Sequence, residues 1–430
     1  MQPALRRSER GLDWFTFFVA DIQTGFGPFL AVYLTTQKWN QADIGLILAI
    51  GSLAGLLSQL PAGWLVDMAP SKRRIAMLAV VGIGISALLI ALIPSFLGIL
   101  IAKLLHVASS SVLGPAIAAI TLGLVGHAAV GPRFGRNARY ASIGNGLAAG
   151  VMGATGYLIS PQAVFLVTAA LALPTLLALA QIRESDIDSA LADGGFMARE
   201  PPVDLAPAQI GQLLGKRSLL VLTFALFLFH AANAAMLPLV GTEMAMRSDR
   251  FVLPILGGEI DMGQWASALI AVCIVVPQLM VALIAPGVGR LAVRLGRRPV
   301  LLLGFAALPA RAAILAFNSD PWVIVAAQML DGICGAVLGV LVPLSLADIT
   351  RGSGRFNLAQ GIAASATGVG AALSTAVAGY LATTFGSGTA FLGLAITAAA
   401  AFVTLLVAMP ETAPKDSNGL ETNRTNSHTL

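Results

Sequence analysis

Twelve mostly apolar runs, each at least close to the ~20 residues that a helix needs to cross a bilayer, dominate this sequence. They occupy 12–35, 42–66, 75–93, 97–124, 140–160 and 163–182; after a polar interval come 218–241, 264–286, 299–317, 322–346, 359–384 and 388–409. The runs lack the two-residue alternation of a barrel strand, so helices are expected. Only 11% of the 430 residues are charged, against about 25% in a soluble domain. A mean hydropathy of +0.83 leaves too little polar surface for a water-soluble body. The two cysteines, Cys273 and Cys334, sit inside apolar runs and exclude a disulfide scaffold. The chain is expected to be an all-α integral membrane protein.

The runs fall into two sets of six. Residues 1–11 are polar and form a short N-terminus, 12–182 a first six-helix bundle and 218–409 a second. Between them, 183–217 carries Glu184, Asp186, Asp188, Asp193, Glu200 and Asp204 with Pro201, Pro202 and Pro207, and reads as a solvated linker. Residues 410–430 read as a disordered polar tail, and no cleavable leader is evident. Of the 26 lysines and arginines, Lys38, Arg247 and Arg250 alone fall on the side opposite the termini, while Lys103 and Arg311 fall within spans. Basic loops stay in the cytoplasm, so both termini are expected there, in a plasma membrane. The formal charge of +5 is thus a topology signal. Basic residues scattered over many loops do not make a nucleic-acid surface.

The halves repeat one another. Gly63-Trp-Leu-Val-Asp67-Met-Ala-Pro-Ser-Lys72-Arg73-Arg74 follows the second span, and Gly289-Arg-Leu-Ala-Val293-Arg294-Leu-Gly-Arg297-Arg298 follows the eighth. Leu105-His106 with Val112-Leu113-Gly114 in span 4 matches Leu330-Asp331 with Val337-Leu338-Gly339 in span 10, at nearly the same offset. Parallel halves are one of the repeat plans of membrane transporters.

With these features the chain resembles the major facilitator superfamily over residues 12–412. The Gly-x-x-x-Asp loop with its basic run is similar to that family's diagnostic motif, and Met409-Pro410-Glu411-Thr412 is similar to a common ending of its members. The resemblance implies two six-helix bundles about a pseudo-twofold, rocking around a cavity lined by helices 1, 4, 7 and 10. It also implies that Gly63, Asp67, Lys72, Arg73 and Arg74 form a conformational lock, with Gly289, Arg294, Arg297 and Arg298 as a second copy. Pro70 stands where the family has Gly, and Val293 where Asp is expected, so the second lock should be weaker. In helix 5, Gly146 and Gly150 are followed by Val151, so the family's Gly-x-x-x-Gly-Pro antiporter signature is incomplete. The glycine series there suits close helix packing.

An ionisable group inside a span costs at least about 2.5–3.5 kcal/mol, and is a functional candidate by default. These groups are Asp21, Lys103, His106, His230, Arg311 and Asp331. Asp21, His106, His230 and Asp331 fall on the four helices that the resemblance assigns to the cavity, where Gln23 and Asn233 extend the polar set. Asp21 is the leading proton carrier, because burial raises a carboxyl pKa toward neutrality; the competing reading is a permanent pair with Arg311 or a histidine. Each histidine can equally be a neutral structural imidazole. Asp331 and His106, at repeat-related positions, could form a relay. Arg311 is read as a tie to a carboxylate, and Lys103 as snorkelling outward. Pro28 and Pro238, each five residues beyond Gln23 and Asn233, are positioned to bend helices 1 and 7.

No metal or other cofactor is expected: the candidate ligands come from four separate helices, with no local two-ligand motif. No ATP-binding Gly-x-x-x-x-Gly-Lys loop appears. The reading is a monomeric secondary transporter, not an enzyme, moving a small solute by alternating access with H+ as the coupled partner. Efflux of an amphipathic compound is favoured over nutrient uptake, and a membrane-embedded transferase is the remaining alternative.

Overall fold

The computed structural model describes residues 3–24, 28–39, 41–194, 215–245, 250–252 and 259–413. The first span is α1 (Pro3–Thr24) followed by α2 (Pro28–Thr36). Then come α3 (Gln41–Met68), α4 (Lys72–Leu92), α5 (Phe96–Leu158) and α6 (Pro161–Ala180). A short α7 (Ser189–Ala192) precedes the second half. There α8 (Arg217–Asn233) and α9 (Met236–Ala245) form one span. They are followed by α10 (Met262–Leu295), α11 (Arg297–Phe317), α12 (Pro321–Ile349), α13 (Phe356–Phe385) and α14 (Ser387–Ala408). An antiparallel ribbon of β1 (Arg250–Val252) and β2 (Glu259–Asp261) is the one departure from an all-α chain among the described residues.

Ten stretches of the described residues are long and apolar enough to cross a membrane. One of them, Phe96–Gly156, has 61 residues and holds two spans, because the helix reverses at Gly126 (φ 67°, ψ 174°). A side chain is strained at that positive φ, so glycine is the residue for the corner. The first span, split between α1 and α2, completes the twelve. The proline positions account for the other break: Pro238 cannot accept the normal helical geometry over Ala234, and α8 ends there. The amide of Ala235 at this break is satisfied by Ser374 Oγ at 3.1 Å. Lipid is the solvent of the outer faces, which carry exposed Leu57, Leu78, Leu173, Leu283 and Ile396.

Three boundaries differ from the sequence reading. Residues 3–11 continue α1 instead of forming a polar lead, and Ser8, fully buried, donates to Asp186 at 2.6 Å and accepts from the amide of Arg183 at 3.0 Å. Arg133, Arg136 and Arg139, read as loop residues, lie on the second arm of α5. The start of the linker is also not simply solvated. Asp188 caps α7, its own amide donates to Gly123 O at 3.0 Å, and Ala192 is fully buried. Small and apolar residues interspersed among the acids (Ile187, Leu191, Ala192) let this segment pack under the bundles.

Candidate functional site

The two halves meet most closely at the end that bears the basic loops. A Cβ added to Gly63 of α3 would lie 2.3 Å from Asn357 O of α13, and one added to Gly361 would lie 2.6 Å from Gln59 O. The same crossing repeats between α5 and α10: a Cβ on Gly289 would lie 2.4 Å from Gly131 O, and one on Gly135 2.4 Å from Ala285 O. Glycine is required at these positions because the obstacle is backbone, which cannot rotate away.

Asp67 then seals the α3–α13 crossing. The first turn of α13 has no side-chain cap of its own. Asp67 Oδ1 accepts from the Asn357 amide at 3.1 Å and from Asn357 Nδ2 at 2.7 Å, while Oδ2 accepts from the Leu358 amide at 2.8 Å. A carboxylate of one half therefore caps a helix of the other, satisfying orphan donors and facing the positive end of the helix dipole. In the second copy, Pro132 stands where the repeat places Leu358 and has no N–H to cap. Val293 in place of an aspartate thus leaves no such donor unsatisfied.

The basic residues of the loops act mainly as caps. Buried Lys72 donates to the carbonyls of Val66, Ala69 and Asp67 at 2.7, 2.9 and 3.2 Å, and pairs with Asp193 at 2.6 Å. Burial pushes the Asp193 carboxyl above its ordinary range, and the Lys72 ammonium pulls it part of the way back. Arg297 plays the matching part in the second half, donating to Ala292 O at 3.0 Å and pairing with Asp348 at 2.8 Å. Ser71 caps α4, whereas Gly296 offers α11 no side chain; Glu411 reaches in instead and accepts from the amides of Arg297 and Arg298 at 2.8 and 3.1 Å. Burial would raise the Glu411 pKa, but the amides of Ala413, Arg297, Arg298 and Thr412 hold it below the usual range. The Pro-Glu-Thr ending is thus a helix cap. Arg73 and Arg74 border a shallow cavity with Pro70 and Glu184, and Arg294 is exposed.

Above this seal lie two adjoining cavities of about 400 and 520 Å³, which share Gly114, Ile117 and Gln360. The smaller is bounded by both arms of α5 together with α10 and α12, through residues such as Asn137, Gln278 and Gly339. The larger brings together Gln23 of α1, Gln59 of α3, Lys103, His106 and Ser110 of α5, and Gln360 of α13. Gln23 Nε2 donates to Ser110 Oγ at 2.8 Å. His106 lies ten residues into α5, about 15 Å along the helix, near the middle of a ~30 Å slab.

Asp331, His230 and Asn233 line neither cavity. Asp331 Oδ1 and Asn233 Oδ1 each accept from Arg311 Nη1 at 2.6 Å, and Gln328 Oε1 accepts from Nη2 at 2.7 Å. Arg311 is 2% exposed, whereas the Asp331 side chain is 26% exposed. Asp331 is therefore paired with Arg311, whereas His106 borders the larger cavity. His230 stacks edge-on against Phe229. The side chain of Asp21 lies outside the described residues, although its backbone is part of α1. Lys103 does not snorkel outward; it crosses Gly51 of α3 and borders the larger cavity.

Several groups escaped the sequence reading. Asp13, just inside the first apolar run, pairs with Arg133 at 2.9 Å and with Arg136 at 2.5 Å. Its signal was a carboxylate in an apolar run with surplus arginines elsewhere to balance it. Arg139 Nε donates to Ala282 O at 2.8 Å, tying α5 to α10 across the halves. No cluster of three or more His, Cys, Asp or Glu suited to a metal occurs among the described residues.

Comparison with known proteins agrees with this geometry. The model of the MFS_1 like family matches residues 11–393. An uncharacterized MFS-type transporter of Mycobacterium tuberculosis is 38% identical over 411 residues, covering 95% of each chain. The class B tetracycline resistance protein of Escherichia coli is 35% identical over 104 residues, 24% of this chain and 26% of its own. Among solved structures, the E. coli transporter FucP in its outward conformation has a TM-score of 0.72 at 16% identity, covering 92% of this chain and 97% of its own. The human organic anion transporter TETRAN has a TM-score of 0.66 at 18% identity, covering 94% and 100%. This chain, a multi-pass membrane protein, belongs to the major facilitator superfamily of transporters.

Proposed function

We propose that the protein exports a small amphipathic solute by alternating access, driven by the proton gradient, as a monomer in a plasma membrane with both termini cytoplasmic. The observation that carries this reading is the pair of adjoining mid-membrane cavities between the halves, backed at the basic end by the Asp67–α13 seal. A cavity closed toward the cytoplasm is one of the two states that alternating access requires. The mix of amides, hydroxyls and apolar walls suits an amphipathic guest.

Proton coupling is assigned to Asp331, with Asp21 as a second candidate. The Asp331 side chain is partly exposed, and its charge balances buried Arg311. Neutralising it leaves the guanidinium held only by two amides, so protonation and helix arrangement are linked. In proteoliposomes, with a substrate first found by a thermal-shift screen, Asp331→Asn should lower pH-gradient-driven accumulation at least tenfold while downhill exchange persists. Unaltered dependence on the gradient would remove Asp331 from the coupling role. Accumulation in the direction of uptake would replace export by the symport reading.

A further inference from the structure

We infer that the 520 Å³ cavity is built for an amphipathic monoanion, a carboxylate or equivalent single negative charge on an apolar body; this rests on the transport reading above and names its substrate class. The lysine on its wall is Lys103, seven residues into α5 and so about 10 Å along the helix from its start. Placing an ammonium there is costly, and the sequence makes room for it deliberately. A Cβ on Gly51 would lie 2.6 Å from Lys103 Cε and 2.8 Å from Cγ, so the glycine provides the groove along which the lysine stem crosses α3. With that path, the charge is directed to the cavity and not to the lipid.

The rest of the wall fits an anion. Gln23, Gln59, Ser110 and Gln360 supply amide and hydroxyl donors, and His106 adds an imidazole. No carboxylate borders the cavity and no ion pair engages Lys103 among the described residues. Among the described wall residues one lysine matches a single negative charge better than several, while Val107, Ile117 and Ala364 offer contact to an apolar body. Export of a monoanion also removes negative charge from a compartment that is electrically negative inside. Membrane potential and proton gradient then act in the same direction.

The test uses purified full-length protein and thermal shift with three carboxylates: 4-phenylbutyrate, 1-naphthoate and decanoate. Each is compared with its amide and its amine. The carboxylates should raise the unfolding midpoint and the other members should not; Lys103→Gln should abolish the shift and Lys103→Arg should retain it. Equal shifts from the amides, larger shifts from the amines, a carboxylate shift that survives Lys103→Gln, or no carboxylate shift at all would overturn the assignment. Counterflow in proteoliposomes separates the two readings. Transport of a neutral or cationic probe alone would leave the transporter standing and sink the anion class. Carboxylate binding through Lys103 without any counterflow would do the reverse.

Discussion

Gly63→Val should hold the protein open at its basic end. The added side chain meets the Asn357 carbonyl and the Gly361 amide, both backbone, so α3 and α13 must part. Overpacking costs about 1–3 kcal/mol, and separation also removes the charge-assisted bonds of Asp67, worth about 1.5–3 kcal/mol each. Even a net loss of only about 3 kcal/mol, a fraction of that sum because water takes over the freed groups, shifts the closed-to-open ratio on the order of a hundredfold. Asp67→Asn, which keeps volume but turns one acceptor into a donor facing the Leu358 amide, should give a smaller shift of roughly tenfold. The readout is labelling of a cysteine introduced at Gln360, with Cys273 and Cys334 replaced, by an impermeant maleimide added from the basic side. Labelling should rise in the order parent, Asp67→Asn, Gly63→Val, and Gly63→Val alone should lose most transport. Equal labelling in all three would sink the lock.

The second large effect concerns stability. Arg311→Met strips the donor from Asn233, Asp331 and Gln328 at once. Breaking a buried ion pair by removing one member costs about 3–5 kcal/mol, because the remaining charge is left uncompensated. The apparent melting temperature in detergent should fall by several degrees, with Arg311→Met/Asp331→Leu recovering at least half of the loss. If the double variant melts lower than the single one, Asp331 is stabilised by something other than Arg311. Since Asp331→Asn retains an acceptor for Arg311, it should leave the melting temperature closer to that of the parent, which separates its transport defect from misfolding.

The membrane spans were legible because lipid imposes a length and an apolar composition on every one of them. The glycines and Asp67 of the loop could be read because a recurrent motif marks them. Which helix Asp67 caps could not: a contact with a segment nearly three hundred residues later is a property of how two halves dock, which no local spacing encodes. The same holds for Asp331, whose repeat-related partner by sequence was His106, whereas packing delivers Arg311 from the neighbouring helix. For Lys103, depth alone points outward. The direction of a lysine stem depends on which face meets a glycine, and Gly51 decides it. In the arm of α5 carrying Arg133, Arg136 and Arg139, charge density points to a loop, whereas the helix continues after Gly126.

The seam at the basic end has a consequence for following the cycle in time. Four backbone amides of the second half are closed off by groups from outside it: Asn357 and Leu358 by Asp67, Phe356 by the carbonyl of Asp193 at 3.3 Å, and Gly352 by that of Gly194 at 2.6 Å. Each is shielded only while that end is shut, so their deuterium uptake should keep pace with its opening. A ligand that favours the shut state should slow all four together, and Asp67→Asn should speed them, with amides at the middle of α13 unaffected. The unmodified chain would then report its own gate, without a fluorophore or a known cargo.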